Sequence, residues 1–400
     1  MQQEEKLFNY NYCMVLLGNL IAYLGYTMVM SNIAPYAASL QIDGVLLGVI
    51  PGLMSIAALC CRPFSGIISD LCKRKHILVF SFAGLSLVFV GYAFSEHVWM
   101  LLLVRMLHGV FFCLCTTVNL TMVADLVPEK KLAQGLGYYG LCYTFMSAVG
   151  PEIGLALSKR AGYRNMFLCA AALYGLAFLV SLSIRMNDRK KEEERQGEKR
   201  SFSLSGLFSR EALPASGIAF FNAFTNGAVV SFILLYAAEK GFANAGMFFT
   251  VYAVVIVASR PLLGGLADEW QPQYLVFPCD GLIIASMVLL FAANRAWHLY
   301  LAAILYGIGY GGLQPLLQSM GLRSARPQER GRASGTFNIG LDGGNGLGPV
   351  LCSTAAGAFG GYPYGFLAMI VPVLLGACIM AELVKREKKQ TLKRAEHSAP

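Results

Sequence analysis

The sequence predicts an all-α membrane protein with 12 transmembrane helices in two six-helix repeats and with both termini in the cytoplasm. Three observations predict this fold. Of the 400 residues, 56% are hydrophobic and only 14% are charged, whereas about 25% are charged in a typical soluble domain. The apolar residues form long runs, and the second half repeats the first. A membrane β-barrel is excluded, because barrel strands alternate apolar and polar residues, whereas a run such as 76–94 contains no Asp, Glu, Lys or Arg.

Each predicted helix is a run of about 20 mostly apolar residues, the length that crosses the hydrocarbon core of a bilayer. The first run is too long for a cleavable signal peptide and is expected to remain in the mature protein. The runs lie near 11–37, 45–69, 76–94, 98–122, 133–157, 165–184, 212–238, 244–267, 274–293, 297–322, 333–358 and 362–382.

Basic residues predict the orientation of these helices. With the N-terminus inside, 24 of the 32 Lys and Arg residues fall in cytoplasmic segments and 5 in outside loops, as the positive-inside rule requires. The mixed-charge stretch 185–211 has too little apolar surface to fold alone and is predicted to be a cytoplasmic linker between the halves 1–184 and 212–384. The basic tail 385–400 is expected to meet anionic lipid headgroups rather than nucleic acid.

An internal repeat is visible at a constant offset of 198 residues. The recurring residues are Arg62, Pro63, Gly66, Asp70, Trp99, Gly109, Gly137, Gly150 and Pro151, which return as Arg260, Pro261, Gly264, Asp268, Trp297, Gly307, Gly335, Gly348 and Pro349. Because six helices is an even number, both copies enter the membrane in the same orientation, as in one class of secondary transporter with a central site between its halves. The duplication favours alternating access over a rigid channel or a membrane enzyme.

The segment Gly66-Ile-Ile-Ser-Asp70-Leu-Cys-Lys-Arg74-Lys75 resembles motif A of the major facilitator superfamily, in the cytoplasmic loop after the second span. The resemblance implies a gating role for Gly66, Asp70 and Arg74. Gly66 would allow close helix approach, and Asp70 would lie against the positive N-terminal end of the eleventh span. Gly264 and Asp268 repeat the motif without its basic residues. The alternative for Asp70 is a solvated loop charge.

In the fourth span, Leu102-x-x-Arg105-x-x-His108-Gly109 resembles motif B of the drug:proton antiporter branch, with His108 where glutamine is usual. Arg105 lies roughly 10 Å from the outer surface at 1.5 Å per residue, and a charge at that depth needs a partner. The resemblance implies a coupling role for Arg105 and His108. A structural ion pair is the alternative.

In the fifth span, Gly150-Pro151-Glu152-Ile153-Gly154 resembles motif C of the same branch. Gly and Pro bend a helix and let a neighbour pack closely, and Gly348-Pro349 repeats the pair. Glu152 lies at about the depth of Arg105, so a buried pair between them is geometrically possible. Proton binding at Glu152 is the competing hypothesis.

Asp342 lies about 9 residues into the eleventh span, well inside the membrane. A medium of low dielectric constant disfavours a charged carboxylate, which suits such a group to proton exchange. Asp342 is therefore either a coupling or substrate-contacting acid, or a hydrogen-bonding group between glycine-rich helices. Asp280 is a weaker candidate, because it is only about 6 residues from the cytoplasmic end of the ninth span. The first span contains no acid, where many drug antiporters carry one.

Amide side chains of spans one, four, seven and ten are expected to line the central cavity, although each is equally suited to a hydrogen bond between helices. These candidates are Asn32, Asn119, Asn222, Asn226, Gln314 and Gln318. No cofactor or metal site is predicted. Two G-x-G-x-x-G segments follow no strand, and no G-x-x-x-x-G-K-[ST] segment occurs, so nucleotide binding is rejected.

The resemblance implies a secondary active transporter, not an enzyme, that exports a small amphipathic molecule or drug in exchange for protons. The expected setting is the bacterial inner (plasma) membrane, with the chain as a monomer whose partners are substrate, protons and lipids. Because the fold does not fix the direction of transport, a proton-coupled uptake symporter for a small metabolite is the alternative. A non-transporting membrane receptor is a remote one, against which the duplicated gating motifs argue.

Overall fold

The computed structural model describes residues 7–128, 132–185, 209–269, 271–324 and 330–398, and throughout these ranges the only regular structure is helical. The described chain falls into two compact units, Met1–Leu204 and Ser205–Pro400. Their boundary lies in the predicted linker, most of which is outside the described residues.

The described residues of the first unit form five helical elements. They are α1 (Tyr10–Ser39), α2 (Gly44–Leu71), α3 (Arg74–Ala93), α4 (Val98–Leu126) and α5 (Leu132–Leu182). Within α5, Gly162 has non-helical backbone angles, with φ 83° and ψ 161°. A positive φ is readily adopted by glycine. The element is therefore two helical segments joined at Gly162, which falls between the predicted fifth and sixth spans.

The second unit contains seven helical elements among its described residues. They are α6 (Leu213–Glu239), α7 (Met247–Glu269), α8 (Gln273–Ala292), α9 (Ala296–Ser324), α10 (Arg330–Phe359), α11 (Tyr362–Ala368) and α12 (Ile370–Ser398). The short α11 and the start of α12 occupy the predicted twelfth span. Because α12 continues to Ser398, most of the basic tail is helical rather than a separate segment.

Eight helices in the described part of the chain are long and apolar enough to cross a membrane. One of them, Gly137–Leu182, has 46 residues, enough for two spans of about 20 residues each. The predicted eighth, tenth and eleventh spans are helical but are not among the eight. The eleventh is interrupted by many Gly residues and by Asp342 and Asn345, which lower its hydropathy. The chain is thus an all-helical, multi-pass membrane protein, while the number of 12 spans and the side of the termini stay predictions.

The sequence repeat has a direct counterpart in helix packing. In the first unit, a Cβ atom at Gly109 of α4 would collide with the carbonyl oxygen of Met54 in α2. In the second unit, a Cβ at Gly307 of α9 would lie 3.1 Å from the carbonyl oxygen of Tyr252 in α7. Gly109 and Gly307 are 198 positions apart, and so are Met54 and Tyr252. Equivalent glycines therefore make the same backbone contact in both repeats. Glycine allows this close approach of two helices because it has no side chain.

One hydrogen bond recurs in both units without keeping the offset of 198 residues. The Tyr36 hydroxyl at the end of α1 donates to the Ser95 carbonyl at 2.8 Å, and the Tyr236 hydroxyl at the end of α6 donates to the Leu290 carbonyl at 2.6 Å. Both bonds tie the end of the first helix of a unit to the end of its third helix. The two tyrosines are 200 positions apart and the two acceptors are 195 apart, so this bond recurs in both units although neither of its ends keeps the offset of 198.

Glycines of α10 bring this helix against the backbone of α6. Added Cβ atoms at Gly340, Gly344 and Gly348 would collide with the carbonyl oxygens of Ser216, Phe220 and Phe224, respectively. Both series advance by four residues, so one stripe of α10 follows one stripe of carbonyls on α6. This spacing permits repeated Cα–H···O contacts along the two helices.

Candidate functional site

Arg105 of α4 is fully buried, with 0% of its surface exposed. Its Nε donates to the Ile50 carbonyl at 2.8 Å, and its Nη2 donates to the Pro51 carbonyl. Its Nη1 lies 3.5 Å from the Met30 sulfur and 3.4 Å from the Tyr92 hydroxyl. The guanidinium therefore joins α4 to α1, α2 and α3, and its strongest acceptors are two neighbouring carbonyls of α2.

The predicted ion pair between Arg105 and Glu152 is not formed. The partners of Arg105 are neutral, and neither ion pairs nor hydrogen bonds reach Glu152 within the described residues. The physical reason is that two backbone carbonyls already supply the acceptors that a buried guanidinium needs. Sequence reasoning considers side-chain partners, and backbone acceptors leave no signal in the sequence.

His108 lies one helical turn from Arg105 and shares Tyr92 with it. The ring is fully buried, and its Nδ1 lies 3.1 Å from the Tyr92 hydroxyl. Because Arg105 has only donors, Tyr92 accepts from Arg105 and gives its own proton to Nδ1. This places the proton of a neutral His108 on Nε2, which is buried and has no hydrogen-bond partner among the described residues. The rings of Tyr26, Phe89 and Phe112 surround it with centroid distances of 6.1, 4.9 and 6.2 Å.

Glu152 of α5 and Asp342 of α10 each lie between two glycines that pack against the first helix of their unit. Gly150 and Gly154 of α5 meet Thr27 and Met28 of α1 so tightly that added Cβ atoms would collide. Glu152 lies two residues from each glycine, which turns it by about 200° away from this packed face. Asp342 stands in the same relation to Gly340 and Gly344 of α10. Both acids are thus on the side of their helix that faces away from the packed neighbour.

The carboxyl groups differ in their surroundings. Glu152 is half-buried, and its Oε2 is a buried atom without a hydrogen-bond partner among the described residues. Asp342 is also half-buried, but it takes part in a polar interaction. Glu152 therefore has a buried acceptor that no described group satisfies, whereas the Asp342 carboxyl group is engaged.

Motif A contributes an ion pair in the first unit. Arg74, at the start of α3, pairs with Asp125 near the end of α4, and the two side chains are only 13% and 16% exposed. Lys75 donates to the Leu182 carbonyl at 2.9 Å and ties the same loop to α5. Sequence reasoning missed Asp125. The signal that points to it is an acid at the cytoplasmic end of a predicted span, opposite a basic loop.

The other predicted gating residues are Asp70, Gly66, Gly264 and Asp268. The surroundings of Asp70, Gly264 and Asp268 lie outside what the structure describes. A Cβ added at Gly66 would meet no described atom within 4 Å, and the close helix approach expected at Gly66 stays a prediction. At Gly150, Gly154 and Gly348, by contrast, the close packing predicted for motif C is present. A bend at Pro151 or Pro349 stays a prediction.

Most of the predicted cavity amides are engaged within their own unit. Asn32, Asn119 and Asn222 are buried, and their Nδ2 atoms donate to Met28, Cys115 and Ile218 of the preceding turn. Asn226 donates to the Asn345 side chain across α6 and α10 at 2.9 Å. Gln314 is exposed and Gln318 is half-buried. The asparagines therefore have the contacts of structural hydrogen bonds, and the two glutamines are the more accessible cavity candidates.

Asp280 of α8 is a buried acid that sequence reasoning undervalued. It is 2% exposed, and both carboxyl oxygens are without a hydrogen-bond partner within the described residues. Its position near a predicted membrane surface suggests solvation, but α9, α11 and α12 pack against α8, and Asp280 is on a buried part of the helix. No group of three His, Cys, Asp or Glu residues in the described part of the chain is arranged to hold a metal ion.

A family profile described as Major Facilitator Superfamily matches residues 15–349, and again residues 215–399. The chain is 25% identical over 375 residues to a multidrug resistance protein, MdtG, of Proteus mirabilis, covering 90% of this chain and 91% of that protein. It is 26% identical over 291 residues to a staphylopine export protein of Staphylococcus aureus, covering 68% of this chain and 71% of that protein.

Solved structures show the same fold at low sequence identity. A bacterial homologue of the human lysosomal transporter Spinster, inward-facing and unoccupied, superposes with a TM-score of 0.74 and 16% identity over 92% of this chain and 95% of its own. A variant of the nucleoside transporter NupG superposes with a TM-score of 0.77 and 12% sequence identity, covering 92% of this chain and 99% of that transporter chain. These likenesses establish the fold.

Proposed function

The chain belongs to the Major Facilitator Superfamily, and on that premise we propose that it exports a small amphipathic molecule from a bacterial cell in exchange for protons. Its membership makes it a membrane transporter rather than an enzyme. The observation that carries the proposal of export is the likeness to a multidrug resistance protein over 90% of the chain. The staphylopine export protein supports the same direction of transport. The proposed location is the inner membrane.

An amphipathic substrate fits the aromatic side chains that α1, α4 and α5 contribute to the first unit. The rings of Tyr26 and Phe112 are stacked with centroids 4.5 Å apart, and Tyr23 and Tyr143 meet edge to face at 5.2 Å. Such rings offer large apolar faces together with polar hydroxyl groups. A substrate with an apolar body and a few polar groups would match both.

In the proposed mechanism, Glu152 and Asp342 carry the protons, and Arg105 is structural. A proton that binds from outside neutralises a carboxylate in a partly buried environment and so favours one conformation of the transporter. Release of that proton inward favours the other conformation, from which substrate leaves outward. Arg105 does not exchange charge with Glu152 in this scheme. It holds α4 against α2 while the acids change protonation state.

Everted membrane vesicles, with the cytoplasmic face outward and an acidic interior, provide the test. Vesicles containing wild-type protein are expected to accumulate a fluorescent amphipathic cation, and a protonophore should abolish the accumulation. Glu152→Gln and Asp342→Asn should each be compared with a control that removes an exposed carboxylate, Glu96→Gln and Asp43→Asn, respectively. Accumulation that persists unchanged in the presence of the protonophore would contradict proton-coupled export, and accumulation in right-side-out vesicles alone would indicate uptake.

A further inference from the structure

Two buried polar side chains of the second unit, Asp280 and Asn222, have hydrogen-bonding groups that can pair with each other. Asp280 of α8 is 2% exposed, and Asn222 of α6 is 1% exposed. Asn222 lies near enough to affect the Asp280 carboxyl group, and no hydrogen bond joins the two side chains in this arrangement. Three oxygen atoms in this pair, both of Asp280 and Oδ1 of Asn222, are buried and have no hydrogen-bond partner within the described residues.

The number of hydrogen bonds that Asp280 and Asn222 can form with each other depends on whether Asp280 is protonated. Asn222 has two N–H donors on Nδ2, of which one goes to the Ile218 carbonyl at 3.2 Å and one remains for Asp280. An ionised Asp280 has only acceptors, so Oδ1 of Asn222 would stay unpaired. A protonated Asp280 supplies one O–H donor, and a carboxylic acid and an amide then form two reciprocal hydrogen bonds. Leaving a buried acceptor unpaired is costly, so the inventory favours the protonated acid.

No basic side chain of the described residues donates a hydrogen bond to Asp280. The elements packed against α8 are α9, α11 and α12. The Cys279 thiol, next to Asp280 on α8, interacts with its carboxyl group. On the neighbouring elements, Tyr306 bonds to Thr225 and stacks on Tyr310, Tyr364 contacts the Phe291 ring, and Glu382 pairs with Arg386.

Glycines make the Asp280 environment compact. A Cβ added at Gly309 of α9 would lie 2.8 Å from the Cys279 carbonyl oxygen, and one added at Gly376 of α12 would lie 3.2 Å from Nδ2 of Asn222. The backbones of α9 and α12 therefore approach the pair closely from two sides. An unpaired carboxylate has little access to water in such a site, which raises the free energy of its charged form.

We propose that Asp280 is a proton-binding site of the second unit, occupied when its carboxylic acid pairs with Asn222 and emptied when the two side chains separate. This inference rests on the proposed proton coupling and adds a site to it away from Glu152 and Asp342. On binding, one proton from water forms the O–H bond of Asp280, and on release the same proton returns to water. Asp280 is seven residues from the first residue of α8, roughly 10 Å from the near end of the helix at 1.5 Å per residue.

Occupancy of this site affects α6. Loss of the proton removes the donor to Asn222 and with it the side-chain contact that joins Asn222 of α6 to Asp280 of α8. One helical turn further along α6, Asn226 bonds to Asn345 of α10, and α10 is the helix that carries Asp342. The proton on Asp280 thereby biases the position of α6 relative to two helices of its own unit.

Infrared spectroscopy of the purified full-length protein in lipid tests the proposal without any substrate. The wild type is expected to show a protonated-carboxyl C=O band that Asp280→Asn lacks and that the control Glu382→Gln, which removes an exposed carboxylate, retains. Asn222→Leu keeps the acid but removes its partner, so it should shift the same band to higher wavenumber. A second readout is substrate-driven proton flux, which Asp280→Asn should lower at least tenfold.

The outcomes separate this proposal from the proposed function. A band that is unchanged in Asp280→Asn, or a band that Asn222→Leu does not shift, would overturn the site. If the band is lost as expected but wild-type protein moves no protons with any transported compound, Asp280 still binds a proton, and proton-coupled export falls. If wild-type transport is proton-coupled and Asp280→Asn has a wild-type flux and band, the Asp280 proposal alone falls.

Discussion

Arg105 shows how one side chain holds several helices together without a counter-ion. Its donors point at the Ile50 and Pro51 carbonyls and at Tyr92. A buried charge is stabilised when every donor has an acceptor, and the partial negative charge of carbonyl dipoles replaces a carboxylate in this role. The planar guanidinium suits this arrangement, because its donors leave in fixed, diverging directions.

Replacement of Arg105 by lysine therefore tests geometry rather than charge. Arg105→Lys keeps the positive charge but cannot reach the carbonyls and Tyr92 together, and we expect the free energy of unfolding to fall by about 2 kcal/mol or more. Thermal unfolding in detergent measures this. The matched control is Arg295→Lys, at an exposed loop position, which should unfold like the wild type. Equal stability of the two variants would show that the charge alone matters.

The ion pair of Arg74 and Asp125 gives a second expectation for single residues. A double-mutant cycle with Arg74→Gln and Asp125→Asn should give a coupling energy of about 1–3 kcal/mol, because the pair is largely removed from water. The same cycle on Glu382 and Arg386, whose side chains are 55% and 72% exposed, should give no more than about 0.5 kcal/mol. The cycle cancels the other contacts of each residue. Coupling energies of equal size in both pairs would contradict a strong ion pair between Arg74 and Asp125.

Among single residues, the sequence predicted which positions are unusual better than it predicted their partners. Arg105 is recognisable as a charge inside an apolar run, and its burial is confirmed. Its acceptors are backbone carbonyls of another helix, which have no identity in a sequence. Asp280 was undervalued for a related reason, since distance from the end of a helix does not show whether neighbouring helices cover that end.

At the scale of elements, glycines set the distance between helices. The stripe Gly340, Gly344 and Gly348 brings α10 against the carbonyls of α6. In a membrane, helix association depends on van der Waals packing rather than on the hydrophobic effect, so close backbone approach contributes much of the stability. The same helices carry Asn226 and Asn345, whose hydrogen bond fixes their register.

One added methyl group in this stripe should be costly. Gly344→Ala is expected to lower the free energy of unfolding by about 1–3 kcal/mol, because the new Cβ overlaps the Phe220 carbonyl and Ala223. Gly357→Ala is the control in the same helix, since its Cβ would meet nothing within 4 Å among the described atoms. Thermal unfolding of both variants in detergent compares them, and similar melting temperatures would argue against tight packing of α6 and α10.

The elements themselves follow closely from the apolar runs. The predicted 76–94 run is observed as α3, Arg74–Ala93, because nothing in its sequence competes with a helix. Helix ends were harder to predict. The α12 helix continues well past the predicted membrane boundary, since polar residues such as Lys and Glu can extend a helix into water. The break at Gly162 was expected only as a loop between two spans.

At the scale of the whole molecule, orientation in the membrane follows from charge. The excess of basic residues in alternate segments predicts cytoplasmic termini. Reporter fusions that are active on only one side of the membrane test this expectation. Fusions at the C-terminus and in the linker, after 195, should report the cytoplasm, and a fusion in the loop at 295 should report the outside. A C-terminal fusion that reports the outside would contradict the orientation, and the odd number of spans it requires would contradict the six-helix repeat.

The two units share their packing glycines but not the residues proposed to act in transport. The glycine contacts of Gly109 and Gly307 recur in both units, because both copies must pack the same helices. Arg105 and Glu152 have no charged equivalent at 303 and 350, and Asp342 has none at 144. Packing residues are thus shared by the two units, whereas the proposed proton sites are specific to one unit each.

The most direct test of proton-coupled export is proton movement in proteoliposomes that contain a pH-sensitive dye and only this protein. On addition of a transported amphipathic compound, the account predicts that wild-type protein moves protons in the direction opposite to the compound. Glu152→Gln or Asp342→Asn should abolish this flux, while Glu96→Gln and Asp43→Asn should preserve it. Movement of the compound with no proton flux, and with no effect of either acid, would contradict the account.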